Sequence, residues 1–112
     1  MMHNEADAIM TRLGAITGVQ HVTRGWPGQF DCLPCIAVEK AADTPALFRD
    51  DREHIAQLEY DIRVFACRAQ QADALAERVD AAMEEMGYVR TFSCDRDEAD
   101  VRMAALRYRK YV

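Results

Sequence analysis

Four cysteines are the residues of this chain with the most reactive chemistry, and two of them bracket Leu33-Pro34 in the stretch GQFDCLPCIAVEK. The spacing of Cys32 and Cys35 has the shape of a thiol-disulfide centre or of half a zinc site. A redox CxxC needs its first thiolate at a helix N-terminus, where the positive end of the helix lowers the thiol pKa. Cys35 is instead followed by IAVEKAA, which alternates as a strand does, and no βαβ pattern surrounds it. A structural zinc needs four ligands, usually from two close pairs. Cys67 and Cys94 are single and fall on different predicted strands, so a four-thiolate site requires those strands to converge. The third reading is packing, with the thiols as small buried apolar groups and Leu33-Pro34 as a fixed lead-in to a strand. The local pattern favours this last reading, under which no cofactor and no metal are expected.

Other reactive residues are scattered. His3, His21 and His54 fall near the terminus, on a short strand and at a loop edge. No Ser/His/Asp set is readable from spacing, because such a triad is assembled in space. Gly25 and Gly28 flank Trp26-Pro27 and match neither GxxxxGK nor GxGxxG. Asp50-Asp51, Glu84-Glu85 and the run DRDEAD follow no EF-hand pattern and read as solvated turns and a helix face. The closing RYRKY mixes basic and aromatic residues, as nucleic-acid binders do. Alternation puts Arg107 and Arg109 on one strand face, and that face reads as facing solvent or another subunit. The expectation is a chain that is not an enzyme.

Composition narrows the class further. The 112 residues carry a formal net charge of -5, which argues against a generic nucleic-acid coat and against a polybasic membrane anchor. No apolar run approaches a bilayer-crossing length. The opening MMHNEADAIM lacks the layout of a signal peptide. One cytosolic domain over residues 1–112 with reduced thiols is expected.

The elements that would position these residues follow from periodicity. Ala6, Ile9, Met10, Leu13 and Ile16 make one helical face over residues 4–17, with Asn4 as cap and Gly18 as stop. VQHVTR, residues 19–24, reads as a short strand, and GWPGQFDCLP as a connection. A second strand is predicted over 35–41. DTPALFRDDRE reads as a polar, turn-rich loop. Leu58, Tyr60, Ile62, Val64 and Ala66 alternate with Gln57, Glu59, Asp61, Arg63 and Phe65, predicting a strand over 55–67 with one buried and one mostly polar face. Ala72, Leu75, Ala76, Val79, Ala82, Met83 and Met86 then recur at helical spacing over 70–86, before Gly87. YVRTFSC reads as a strand, DRDEAD as an acidic turn, and VRMAALRYRKYV as a last strand with Ala104, Leu106, Tyr108 and Val112 on one face.

The order α-β-β-β-α-β-β predicts an α+β fold, with two helices on one face of a largely antiparallel four- to five-stranded sheet. Large apolar residues sit outside the periodic faces: Trp26 and Phe30 in the Gly/Pro connection, Leu47 and Phe48 in the charged loop. Such residues either fold back on the core or mark a contact surface. Together with Arg107 and Arg109 they form the expected partner-binding set.

The layout resembles the tail-completion group of long-tailed phages, which includes tail terminator, minor tail and neck proteins. The resemblance runs through the N-terminal amphipathic helix, through GWPGQFDCLPCIAVEKA, through LEYDIRVFACRAQQADALAERVDAAMEEMGYVRTFSCD as a strand-helix-strand unit, and through the ending RMAALRYRKYV. CLPC is not a feature of that group, and the second helix lacks the expected Ser/Thr cap. The resemblance implies a subunit that associates with itself in a ring, often a hexamer. Such a ring caps the tail tube and meets the head-tail connector, with no cofactor, no membrane and no sequence-specific nucleic-acid binding. It places the chain in the virion tail or neck, and in the host bacterial cytoplasm during assembly. The alternatives from the residues are a small thiol-redox or zinc protein using Cys32 and Cys35, and a dimeric α+β ligand-binding module.

Overall fold

Ala6, Ile9 and Leu13 fall at the spacing of one helical face, and all three are buried in α1, Ala6–Gly14. In the computed structural model residues 3–28, 33–49, 52–98 and 100–112 are described. The Asn4 side chain accepts the Ala6 N–H at 3.1 Å, satisfying one orphan donor of the first turn. The helix is shorter than its apolar pattern. Ile16 stays buried but belongs to a turn whose N–H bonds the Leu13 carbonyl at 3.2 Å, and Gly18 follows at φ 97°.

Five strands follow in the predicted order, three before the second helix and two after it: β1, His21–Arg24; β2, Cys35–Arg49; β3, Arg52–Ala66; α2, Ala69–Glu85; β4, Val89–Glu98; β5, Val101–Tyr111. They form one five-stranded sheet in the order β1-β2-β3-β5-β4. Every neighbouring pair is antiparallel except β1 and β2, which run parallel. Both helices lie on one face. Ile9 and Leu13 of α1 and Leu75, Val79, Ala82 and Met83 of α2 share a core with Ile36, Val38, Leu58, Tyr60, Ile62, Val64, Leu106 and Tyr108. Burying each of these large side chains stabilises the fold by about 1.5–3 kcal/mol. α2 ends as its glycine predicts. Gly87 takes φ 89°, its N–H bonds the Glu84 carbonyl at 2.9 Å, and the Tyr88 N–H bonds the Met83 carbonyl at 3.0 Å.

Two expected turns are smaller than their composition implies. DTPALFRDDRE is mostly strand: β2 continues to Arg49 and pairs with β3 out to Arg49↔Arg52. Beyond Ala56, which exchanges 2.9 Å backbone bonds with Val112, this ribbon has no third strand among the described residues. Thr44, Pro45, Ala46 and Leu47 are all exposed, so this stretch carries no buried/exposed alternation, and periodicity is blind to it. Pro45 is tolerated because β1 pairs with β2 only as far as Val38, leaving that edge of β2 without a strand to receive an N–H. The arm makes the molecule long, 51 × 25 × 23 Å. DRDEAD likewise contributes to β4, which runs to Glu98 opposite Val101, and Asp97 pairs with Arg102 at 2.6 Å.

The N-terminal segment is tied to the base of this arm. The His3 N–H donates to Asp43 Oδ2 at 2.6 Å, Lys40 Nζ donates to the same oxygen at 3.2 Å, and Lys40 also reaches the His3 carbonyl. The His3 amide, more than any other group, holds the Asp43 carboxyl below its usual pKa, and the Lys40 and His3 side chains add to the effect, while burial works against it. A depressed carboxyl contributes stability that is complete above its unfolded pKa and is lost as pH falls through the folded one. Asp43→Asn is therefore expected to lower stability at neutral pH, with the difference from wild type shrinking below about pH 4. Urea midpoints of both proteins from neutral to about pH 2 test this, and a difference that stays constant to the acid end would refute it.

Candidate interaction surface

The sheet face opposite the helices is not merely polar. Phe65 is fully buried there, with Cys35, Ala37, Val101 and Met103 around it and Leu33 packed against them. It sits in the exposed phase of β3, beyond Gln57, Glu59, Asp61 and Arg63, and this one aromatic was the available sign of a second apolar cluster. No helix covers it. Its cover comes from the connection between β1 and β2, whose described ends bring Leu33 and Trp26 over the sheet. Gly25 makes that path possible: it takes φ 79°, a region that side chains disfavour, and its N–H bonds the Val38 carbonyl at 2.8 Å.

Trp26 stands on Phe65 edge-to-face, centroids 5.5 Å apart at 79°, and still exposes 49% of its surface. The Arg63 guanidinium lies 5.2 Å from the centre of the indole. Arg63 also pairs with Glu39 at 3.4 Å and with Asp61 at 3.8 Å. Asp61 in turn receives Arg107 through Nε at 2.7 Å and Nη2 at 3.2 Å, a bidentate geometry that raises the guanidinium pKa further. Trp26, Arg63, Phe92, Arg96, Met103 and Arg107 line an open groove of about 430 Å³. Phe92 is 54% exposed.

The residues expected to bind partners are thus partly gathered. Trp26 and Arg107 meet in the groove. Arg109 shares the strand face of Arg107 and stacks over Tyr111 at 5.5 Å. Leu47 is exposed on the projecting arm, away from the groove. The backbone of Phe48 is strand, opposite Glu53, but its side chain lies outside the described residues, as does Phe30. Sequence reasoning missed Phe92 and Arg63, which carry no pattern beyond their own strands.

The other candidates have local roles. Cys35 opens β2 as a buried strand residue, Cys94 is half-buried along the groove, Cys67 is exposed, and Cys32 lies outside the described residues. Cys35 therefore opens a strand and not a helix, as its alternating pattern predicts. Among the described residues no group of three or more His, Cys, Asp or Glu side chains is placed to hold a metal. Glu85 pairs with Arg12 at 2.9 Å. His21 is exposed, while the His54 side chain and Asp50-Asp51 lie outside the described residues. No described helix is long and apolar enough to cross a membrane. Among the described residues the groove presents aromatic faces and guanidinium groups on an open sheet.

The fold is an α+β layer with helices on one side of a mixed, mostly antiparallel sheet. Among solved structures it is similar to the gp17 protein of bacteriophage SPP1, with a TM-score of 0.59 and 18% sequence identity over 95% of this chain and 86% of that one. No protein-family model matches the sequence, and no curated protein sequence does.

Proposed function

We propose that this chain is a structural assembly protein of a phage or prophage tail, a tail-completion, terminator or neck component. Its subunits associate in a ring that caps the tail tube and joins it to the head. The observation that carries the reading is the likeness in fold to a phage protein across nearly the whole length of both chains. The surface is consistent with it. A helix-free sheet face presents Trp26 and Phe92 to solvent, and a two-stranded arm carries exposed Leu47 away from the body. Exposed apolar anchors on a rigid sheet are what a protein partner needs. A ring interface is heterologous, so the arm of one subunit and the groove of the next need not be alike.

The experiment is co-purification of the chain with the tail-tube protein of the same genome, followed by electron microscopy for rings and capped tubes. Leu47→Asp is expected to leave the monomer's melting temperature within a few degrees of wild type, because the side chain is already half in water. It is expected to lower capture of the tail tube roughly tenfold or more. A tube that neither binds the wild-type chain nor stops growing in its presence would refute the proposal.

A further inference from the structure

Among the described residues β4 is an edge strand, hydrogen-bonded to β5 alone. It runs from Val89 to Glu98 and leaves Val89 and Phe92 more than half exposed. The opposite edge, β1, spans only His21–Arg24. A long edge with apolar side chains in water is ready to accept another strand. Beyond the irregularity between Arg90 and Phe92, the side chains of β4 alternate cleanly. Phe92, Cys94 and Arg96 line the groove on the outer face, while Ser93 and Asp95 lie on the helix side with Asp80 and Arg90.

We propose that β4 pairs with β4 of a second copy of this chain, antiparallel about a two-fold axis at Cys94, so that one continuous sheet crosses two subunits. The proposal does not depend on the phage reading. Its register follows from the side chains. A continuous sheet sets outer-face residues opposite outer-face residues, so the axis must pass through a residue's own position. An axis at Asp95, Arg96 or Asp97 sets that charge against its own copy, which is destabilising. An axis at Ser93 directs Arg96 toward Arg90 of the second copy. An axis at Cys94 sets each Phe92 ring opposite an Arg96 guanidinium and lets each Ser93 hydroxyl donate to an Asp95 carboxylate. No like charges then face each other, and Phe92 leaves water. The charges that guard this edge disfavour the registers centred on Ser93, Asp95, Arg96 and Asp97 and leave the Cys94 register open, and the contact is self-complementary, as a two-fold interface requires.

The register has a direct readout. Directly opposed residues in an antiparallel pair have Cα atoms about 4.5 or 5.5 Å apart, and both values fall inside the range of about 4.4–6.8 Å that a disulfide spans. Sedimentation velocity of the reduced full chain over a range of concentrations is expected to show a monomer–dimer equilibrium. Phe92→Lys is expected to weaken that equilibrium at least roughly tenfold without changing the melting curve. Brief oxidation with copper-phenanthroline should join two Cys94 thiols into a disulfide, with two protons released and two electrons passed to the added oxidant. The cross-linked dimer should be lost in Cys94→Ser and kept in Cys67→Ser. A strictly monomeric chain, a dimer indifferent to Phe92→Lys, or a cross-link that persists without Cys94 would each overturn the proposal. Binding of the tail-tube protein is read separately, so failure of either idea leaves the other standing on its own test.

Discussion

Tyr60→Ala is expected to remove about 3–5 kcal/mol of folding stability, while Tyr60→Phe costs only about 1 kcal/mol. Tyr60 is fully buried at the middle of β3, between Lys40 on β2 and Tyr108 on β5. Its ring meets Tyr88 edge-to-face, centroids 6.1 Å apart at 86°. Its hydroxyl accepts the Glu5 N–H at 2.9 Å, at the residue that precedes α1. Alanine would leave a cavity under both helices and strip that amide of its acceptor. Phenylalanine keeps the volume and loses only the bond. The remaining ties of Glu5, to the Tyr88 hydroxyl at 2.6 Å and to Lys110 at 3.2 Å, would persist. A domain of this size has roughly 5–15 kcal/mol in all, so Tyr60→Ala should remove a large share of it. Urea denaturation of the three proteins decides it. An alanine variant within about 1 kcal/mol of wild type would mean that the helix-side core is not packed as described.

Trp26→Ala is expected to weaken assembly, with the tail tube or with itself, by about thirtyfold or more, while the monomer unfolds near its usual midpoint. The factor corresponds to the 2 kcal/mol or more typical of a central aromatic anchor. Trp26 has the marks of such an anchor. Half of its surface is in water, yet the ring is held by Phe65 beneath it and by the Arg63 guanidinium beside it. A side chain ordered before binding loses less freedom on binding. Phe65→Ala makes the contrast. It removes a fully buried ring and should cost about 3–5 kcal/mol of stability, with the loss of assembly only secondary. Parallel melting and binding measurements on the two variants separate the roles. If Trp26→Ala assembles as wild type does, the groove is not the contact surface.

The helix-facing half of this protein was legible because it obeys a period. Ile9 and Leu13, then Leu75, Val79, Ala82 and Met83, face the sheet at helical spacing. Leu58, Tyr60, Ile62 and Val64 face the helices at a spacing of two, and every one is buried. Burial of one face is a strong force, and it imprints on the residue pattern. Gly18 and Gly87 were legible for a different reason, since each sits at positive φ after a helix, where few other residues are at ease. The surface was legible only in part. Trp26 stood out as a large apolar residue in a Gly/Pro connection, but nothing in the sequence placed it against Phe65.

By itself, then, the sequence determined which faces are buried, the order of the elements and their layered class, because each follows from interactions between near neighbours in the chain. Tertiary structure alone decided the rest. The arm beyond Ala56 is strand only because β2 and β3 pair with each other there, a pairing that no alternation in the sequence announces. The parallel pairing of β1 with β2 joins residues separated by a connection whose composition does not state where the chain returns. The groove joins Trp26 from that connection, Asp61 and Arg63 from β3, Phe92 and Arg96 from β4, and Met103 and Arg107 from β5. Register between strands distant in sequence sets such a meeting, and no local propensity records it.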